Sequence, residues 1–202
     1  MGAIALVDYG AGNLASVRKA LAAVGAEVFA PGRPAEVRAA DAIVVPGVGH
    51  FSATGSLDRD WREAIREAVE AGRPLLGICL GLQWLFEGST EAPGQPGLGV
   101  FEGRCGMLPS EGLKIPHVGW NTVDVIRPSR LLAGVPSGSH AYFTHSYAAP
   151  VTDATTATTS HGVTFASAVE RGNVFGVQFH PEKSGDAGLA VLTAFVRIAR
   201  GE

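Results

Sequence analysis

Leu75-Leu76-Gly77-Ile78-Cys79-Leu80-Gly81 carries an apolar strand straight into a Gly-x-Cys-x-Gly turn, and a helical pattern over residues 80–86 follows. This strand–turn–helix context is that of a nucleophile elbow, with Cys in place of Ser. The turn is tight, so side chains two positions before and two after the nucleophile would collide, which is a physical reason for Gly77 and Gly81. Cys79 would sit at a helix N-terminus, where unpaired N–H groups and the helix dipole favour a thiolate. The Leu80 N–H would face the place where an oxyanion forms. A core cysteine packed between two glycines accounts for the same residues without chemistry, because short Gly-rich motifs often misfire.

Upstream of the elbow, short apolar runs alternate with helix-period segments. Residues 3–7, 27–30, 42–45 and 74–78 read as buried strands. Asn13 can cap a helix carrying Leu14, Val17, Leu21 and Val24 that stops at Gly25. Asp58 or Asp60 can start another through Trp61, Ile65 and Val69 that ends at Gly72. Strands alternating with helices predict an α/β fold whose parallel sheet is covered on both faces. Val45-Pro46-Gly47-Val48-Gly49 follows a strand of that sheet, where ligand-binding loops gather. Its glycines let a backbone N–H approach a ligand and could supply a second oxyanion donor, although an ordinary Gly/Pro turn explains them equally.

Downstream the pattern changes. Residues 88–97 (GSTEAPGQPG) read as a loop between the halves. Residues 118–126, 141–148, 163–170 and 174–179 read as strands joined by turns, with Arg171-Gly172-Asn173 a hairpin connection. These strands form either an antiparallel addition or an extension of the main sheet. Ser184 or Asp186 starts a final amphipathic helix with Leu189, Leu192, Phe195, Val196 and Ile198.

Phe175-Gly176-Val177-Gln178-Phe179-His180-Pro181-Glu182 is the second chemical signal. Alternating apolar residues describe a strand that ends at His180, and Pro181 stops its ladder. In an extended segment the side chains of His180 and Glu182 project to the same side. The carboxylate can thus hold one imidazole nitrogen and leave the other for a thiol, which fixes the tautomer and stabilises the imidazolium. A surface His-Pro-Glu turn is the alternative. His180 is distant from Cys79 along the chain, so only the fold can pair them.

Among other groups, Gln83 lies one helical turn past Cys79 and on the same face, so it could hydrogen-bond a polar substrate, although a solvated helix residue is the plainer reading. His50, His117, His140, His145 and His161 lack the paired spacing of a metal site and read as structural, surface or loop residues. Cys105 has neither an elbow nor a nearby acid–base pair and reads as packing. Gly10 and Gly12 form Gly-x-Gly without a third matched glycine, which is weak evidence for a dinucleotide, and no Walker-type lysine motif occurs.

The chain of 202 residues suits one domain, 46% of it hydrophobic and 17% charged. Its 16 Lys and Arg against 19 Asp and Glu leave a net charge of −3, which offers nucleic acid or an anionic membrane no electrostatic handle. The first apolar run stops at Asp8, too early for a signal peptide, and no segment reaches the ~18 apolar residues of a membrane span. Two cysteines are too few for a disulfide framework. These features predict a soluble, cytoplasmic protein.

With Gly77-Ile78-Cys79-Leu80-Gly81 and Gln178-Phe179-His180-Pro181-Glu182 in that order, the sequence resembles the class I, or triad, glutamine amidotransferases. More narrowly, it is similar to the HisH family, the glutaminase subunits of imidazole glycerol phosphate synthase in histidine biosynthesis. The resemblance runs nearly end to end, through residues 8–14, 46–49, 77–87, 116–121, 142–147 and 178–184. It implies a flavodoxin-like α/β fold: a mostly parallel sheet flanked by helices, with antiparallel strand additions in the C-terminal half. It implies catalysis by Cys79, His180 and Glu182, an oxyanion hole at the Leu80 and Val48 backbone, and glutamine held near Gly49, Gln83, His145, Ser146 and Tyr147. It also implies a heterodimer with a HisF-type (β/α)8 cyclase that consumes the ammonia, with Asn13, Trp120, Tyr142 and Lys183 at or near the interface, and no metal or organic cofactor. The rival readings are a glutaminase subunit of another pathway, a thiol hydrolase or peptidase on a similar sheet, and a catalytically silent binding module.

Overall fold

Alternate residues of the central strands belong to two different cores, and this period of two defines the architecture. The computed structural model describes residues 3–110 and 112–202. In chain order it has β1 (Ala3–Leu6), α1 (Leu14–Ala23), β2 (Glu27–Phe29), α2 (Pro34–Val37), β3 (Ala42–Val45), α3 (Arg59–Glu70), β4 (Leu75–Ile78), α4 (Leu80–Leu85), β5 (Phe86–Ser89) and β6 (Phe101–Met107). Then come β7 (His117–Val125), β8 (Ser139–His145), β9 (Tyr147–Ala148), β10 (Thr155–His161), β11 (Val163–Arg171), β12 (Val174–Val177) and α5 (Gly185–Arg200). Ala42 and Val44 of β3 pack with Val17 and Leu21 of α1 and with Val191 and Phe195 of α5. Ile43 and Val45 pack on the other face with Ile65 of α3, Leu82 of α4 and Phe101 of β6. All four residues of β3 are therefore buried, as a strand covered on both faces requires.

A nine-stranded sheet runs in the order β2-β1-β3-β4-β12-β11-β10-β7-β8. The pairs from β2 to β12 are parallel. Those from β12 to β8 are antiparallel. The two alternatives for the C-terminal strands thus merge, since the antiparallel strands extend the main sheet. The 171–173 turn does connect a hairpin, with Arg171 opposite Val174.

Several local expectations hold in detail. Asn13 caps α1 through its side chain, which accepts from the Ser16 N–H. Asp58 caps α3 by accepting from Asp60 and Trp61 N–H. Others shift. The helix after Cys79 ends at Leu85, and Phe86 opens β5, which pairs with β6 and through it with β9 in a separate three-stranded sheet. Residues 141–148 are not one strand: the chain leaves the large sheet after His145, and Tyr147 pairs with Met107 instead. The threonine-rich β10 lacks the apolar alternation that would announce it. Ser184 caps α5 by position only; its Oγ accepts from Tyr142 N–H and donates to His180 O, tying β8 to the end of β12. Among the described residues no helix is long and apolar enough to cross a membrane.

Candidate active site

The carboxyl ends of β1, β3, β4 and β12 face one rim, so the loops after them deliver the Tyr9–Gly12 turn, Pro46 to Gly49, Cys79 and His180 to one place. Cys79 takes φ 54° and ψ −105° at the N-cap of α4, the one described non-glycine residue with positive φ. Steric packing around this strained turn is severe. A Cβ on Gly77 would lie 2.6 Å from Gly81 O, and one on Gly81 would lie 1.8 Å from Val45 O.

His180 and Glu182 are brought together by a single 3-10 turn, Pro181–Lys183, and not by an extended segment. The turn folds the carboxylate back onto the ring, so His180 Nδ1–H donates to Glu182 Oε1 at 2.8 Å. Both side chains are almost fully buried, at 3% and 2% exposure. His180 Nε2 is buried without a hydrogen bond of full geometry. Burial disfavours the imidazolium, but hydrogen bonding and charge from Cys79 and Glu182 outweigh it and raise His180 to about 10. The nitrogen left free by Glu182 is thus the one that answers to the sulfur.

Cys79 and Leu80 line a cavity of about 230 Å³ with Gly49, Gln83, Glu91, Pro116, Thr144, His145, Ser146 and Tyr147. All five residues expected near glutamine, Gly49, Gln83, His145, Ser146 and Tyr147, therefore border the candidate nucleophile. Gln83 is not a solvated helix residue. It is 4% exposed, and its Nε2 donates to Tyr147 O at 2.7 Å and to Gln178 Oε1 at 3.2 Å. A larger groove of about 650 Å³ beside α5, lined by Arg130, Ala190 and Arg197 among others, has neither a cysteine nor a histidine in its lining.

Of the two expected oxyanion donors, the Leu80 N–H is already engaged. The Leu80 N–H donates to Gly47 O at 3.3 Å, so the expected anion position is occupied by a carbonyl. Val48, on the far side of that peptide, is exposed.

The sequence reading missed Glu91, Thr144 and Pro116 in the cavity wall and gave Gln178 no role. Glu91 sits in what read as a bare loop, with its Oε2 accepting from Phe51 N–H at 2.7 Å. Three histidines grouped as structural form part of the wall's support. Asn121 Nδ2–H donates to His117 Nε2, His117 Nδ1–H to His145 Nε2, and His145 Nδ1–H to Tyr147 O. His161 stacks on His117 with ring centroids 4.2 Å apart. Burial first, then neighbouring positive charge, pushes His117 down to about 4. Burial likewise holds His145 at about 3 against the raising effect of its bond to Tyr147 O. Both rings are neutral donors and acceptors in this chain. His50 and His140 stand apart from it, and Cys105 is a buried thiol whose desolvation pushes its ionisation up. Among the described residues no His, Cys, Asp and Glu group is arranged to hold a metal ion.

The four expected interface residues divide. Trp120 of β7 is 56% exposed and sits opposite Tyr142 of β8, edge to face at 6.2 Å. Lys183 Nζ lies 5.6 Å from the Tyr142 ring centroid. Asn13 stands apart as the exposed cap of α1.

The description Glutamine amidotransferase class-I matches residues 5–198. The chain belongs to the class I glutamine amidotransferases. Similar curated members include a protein of Symbiobacterium thermophilum, 49% identical over 98% of this chain and 95% of its own length. One from Thermococcus kodakarensis is 48% identical over 96% of this chain and 100% of its own. Both are named imidazole glycerol phosphate synthase subunit HisH. Among solved structures, a glutamine amidotransferase aligns with a TM-score of 0.76 at 21% identity, over 98% of this chain and 100% of that one. PurLQS from Thermotoga maritima also gives 0.76 at 21%, over 98% and 99%. At that identity these two carry the amidotransferase fold and nothing finer.

Proposed function

We propose that this chain is the glutaminase subunit of imidazole glycerol phosphate synthase, one functional unit over residues 1–202. It would work in the cytoplasm in histidine biosynthesis as a heterodimer with a HisF-type (β/α)8 cyclase. The observation that carries the chemistry is His180, held by Glu182 at 2.8 Å with its second nitrogen left for Cys79 at the strained turn. The pathway reading rests on the shared name of relatives matched over nearly their whole length.

In the proposed reaction the Cys79 sulfur, as thiolate, attacks the side-chain amide carbon of glutamine. The carbonyl electrons move onto oxygen, then return as the C–N bond breaks. Protonated His180, raised to about 10, gives its proton to the departing ammonia. Water, activated by the now neutral His180, attacks the thioester and releases glutamate. Glu182 keeps the ring oriented through both halves. Glu91, the acidic side chain of the cavity, suits the substrate ammonium, and the Gln83 Oε1 is a further acceptor.

The Gly47–Val48 peptide must turn before the tetrahedral oxyanion can be served. Rotation would release the Leu80 N–H and bring the Val48 N–H inward, giving two free donors where there is none. Losing one such donor typically costs ~3 kcal/mol of transition-state stabilisation. The exposed Trp120 and Lys183, with the half-buried Tyr142 between them, are the proposed seat of the cyclase, which receives ammonia before water protonates it to unreactive ammonium. Ammonia and glutamate release from glutamine, with and without a HisF-type cyclase and its nucleotide, tests the assignment. Peptide cleavage without glutamine turnover in any mixture would replace it with the thiol peptidase reading.

A further inference from the structure

The Tyr147 carbonyl can only accept, and its hydrogen bonds fix the direction of a buried amide beyond it. It receives the His145 Nδ1–H at 2.9 Å and one hydrogen of Gln83 Nε2 at 2.7 Å. The second hydrogen of Gln83 Nε2 goes to Gln178 Oε1 at 3.2 Å. Turning the Gln83 amide over would set oxygen against oxygen, and turning Gln178 over would set NH2 against NH2. Gln178 is fully buried, so water cannot relieve either clash. Its Nε2 therefore points one way, to the Cys79 sulfur at 3.6 Å. The geometry points to Gln178 as a catalytic hydrogen-bond donor that stabilises the Cys79 thiolate, its orientation set by the Tyr147–Gln83 relay.

The sulfur has two kinds of partner. As a thiol it can donate to Thr144 O at 3.9 Å. As a thiolate it loses that bond and keeps the Gln178 N–H, so the contact favours the charged form. This donor is neutral and stays in place when His180 gives its proton away. It would thus hold the sulfur as leaving group during thioester hydrolysis, when the imidazolium is spent. The role rests on the glutaminase reading for its purpose, but its effect on the sulfur can be measured without glutamine.

The test is the pH dependence of Cys79 alkylation by iodoacetamide in the full chain. His180 backed by Glu182, Tyr9 after β1, His145 at the end of β8 and Glu91 after β5 are the titratable groups around the sulfur. All remain in the variants. Gln178→Glu keeps an acceptor for Gln83, removes the amide donor and adds a charge that itself disfavours the thiolate; Gln178→Met removes both hydrogen bonds without adding charge and so isolates the donor. The alkylation midpoint should rise by about one pH unit in either folded variant. In the cyclase complex, kcat should fall about tenfold with KM little changed. The unaltered protein supplies a reading that needs no variant to fold: the Gln178 side-chain amide signals should shift as the sulfur titrates. An unmoved midpoint, or amide signals blind to that titration, overturns the proposal. Absence of glutamine turnover with a raised midpoint would instead overturn the glutaminase reading and leave the donor standing.

Discussion

The backbone N–H of Leu80 donates to the carbonyl oxygen of Gly47 at 3.3 Å, in the place where the nucleophile's neighbour would serve an oxyanion. The His180–Glu182 pair is in place while this backbone donor is engaged elsewhere. A carbonyl oxygen there would repel a developing oxyanion as well as withhold the hydrogen bond.

The isolated chain should therefore turn glutamine over slowly. Adding a HisF-type cyclase with its nucleotide ligand should raise kcat on the order of a hundredfold, the usual scale for one oxyanion donor. A coupled glutamate assay checks this. Equal turnover with and without the partner would contradict it.

Cys79→Ala should abolish glutamine hydrolysis and leave the circular dichroism spectrum and thermal midpoint close to the parent. A glutamine-like electrophile should label Cys79 and spare Cys105, which is fully buried and whose desolvated thiol resists ionisation. Mass spectrometry of the labelled peptides distinguishes the two sites.

Trp120, 56% exposed, presents a large aromatic surface beside Tyr142. Trp120→Ala should weaken cyclase binding by roughly 2 kcal/mol, about thirtyfold in Kd, with little effect on folding. Titration calorimetry and a denaturant melt read the two quantities separately.

Stability should fall on the acid side, and His117 and His145 are part of the reason. Both have an ordinary value of 6.5, lowered in the folded chain to about 4 and about 3. Below 6.5 the unfolded chain takes up protons that the folded chain refuses, so their contribution is whole above that pH and shrinks as pH drops toward the folded values. Urea midpoints at about pH 7 and about pH 5 should show the loss. His117→Gln should flatten the dependence, and an unchanged slope would discount the histidine chain.

Gly81→Ala places a methyl group 1.8 Å from Val45 O, a backbone atom that cannot rotate away. The turn or β3 must shift, at a cost of about 2 kcal/mol or more, read as a lower denaturant midpoint. Alanine tolerated there without loss would mean that the elbow is less tightly set than its geometry indicates.

The features legible in the sequence are those set by neighbours along the chain. The strand into Cys79, the two glycines that the turn requires, the Asn13 and Asp58 caps and the Glu182 reach to His180 all rest on steric or hydrogen-bonding rules spanning a few residues. The His180–Glu182 pair and the fold could thus be anticipated, although a 3-10 turn does the work expected of an extended segment. Gln83 looked solvent-facing because nothing within its helix shows that Tyr147 and Gln178, 64 and 95 residues away, will bury and bind its amide. The Thr-rich β10 is a strand only because β7 and β11 flank it and pair with its backbone.

By itself, the sequence determined the strained turn at Cys79, the His180–Glu182 pair and the alternation that builds a doubly covered parallel sheet, because each is written in local sterics and periodicity. Only the tertiary structure decided that Gly47 occupies Leu80, that Gln178 turns its amide toward the sulfur and that Trp120 stays uncovered. Those outcomes depend on the direction of single hydrogen bonds and the covering of single faces between segments remote in the chain, and no pattern of residue types encodes them.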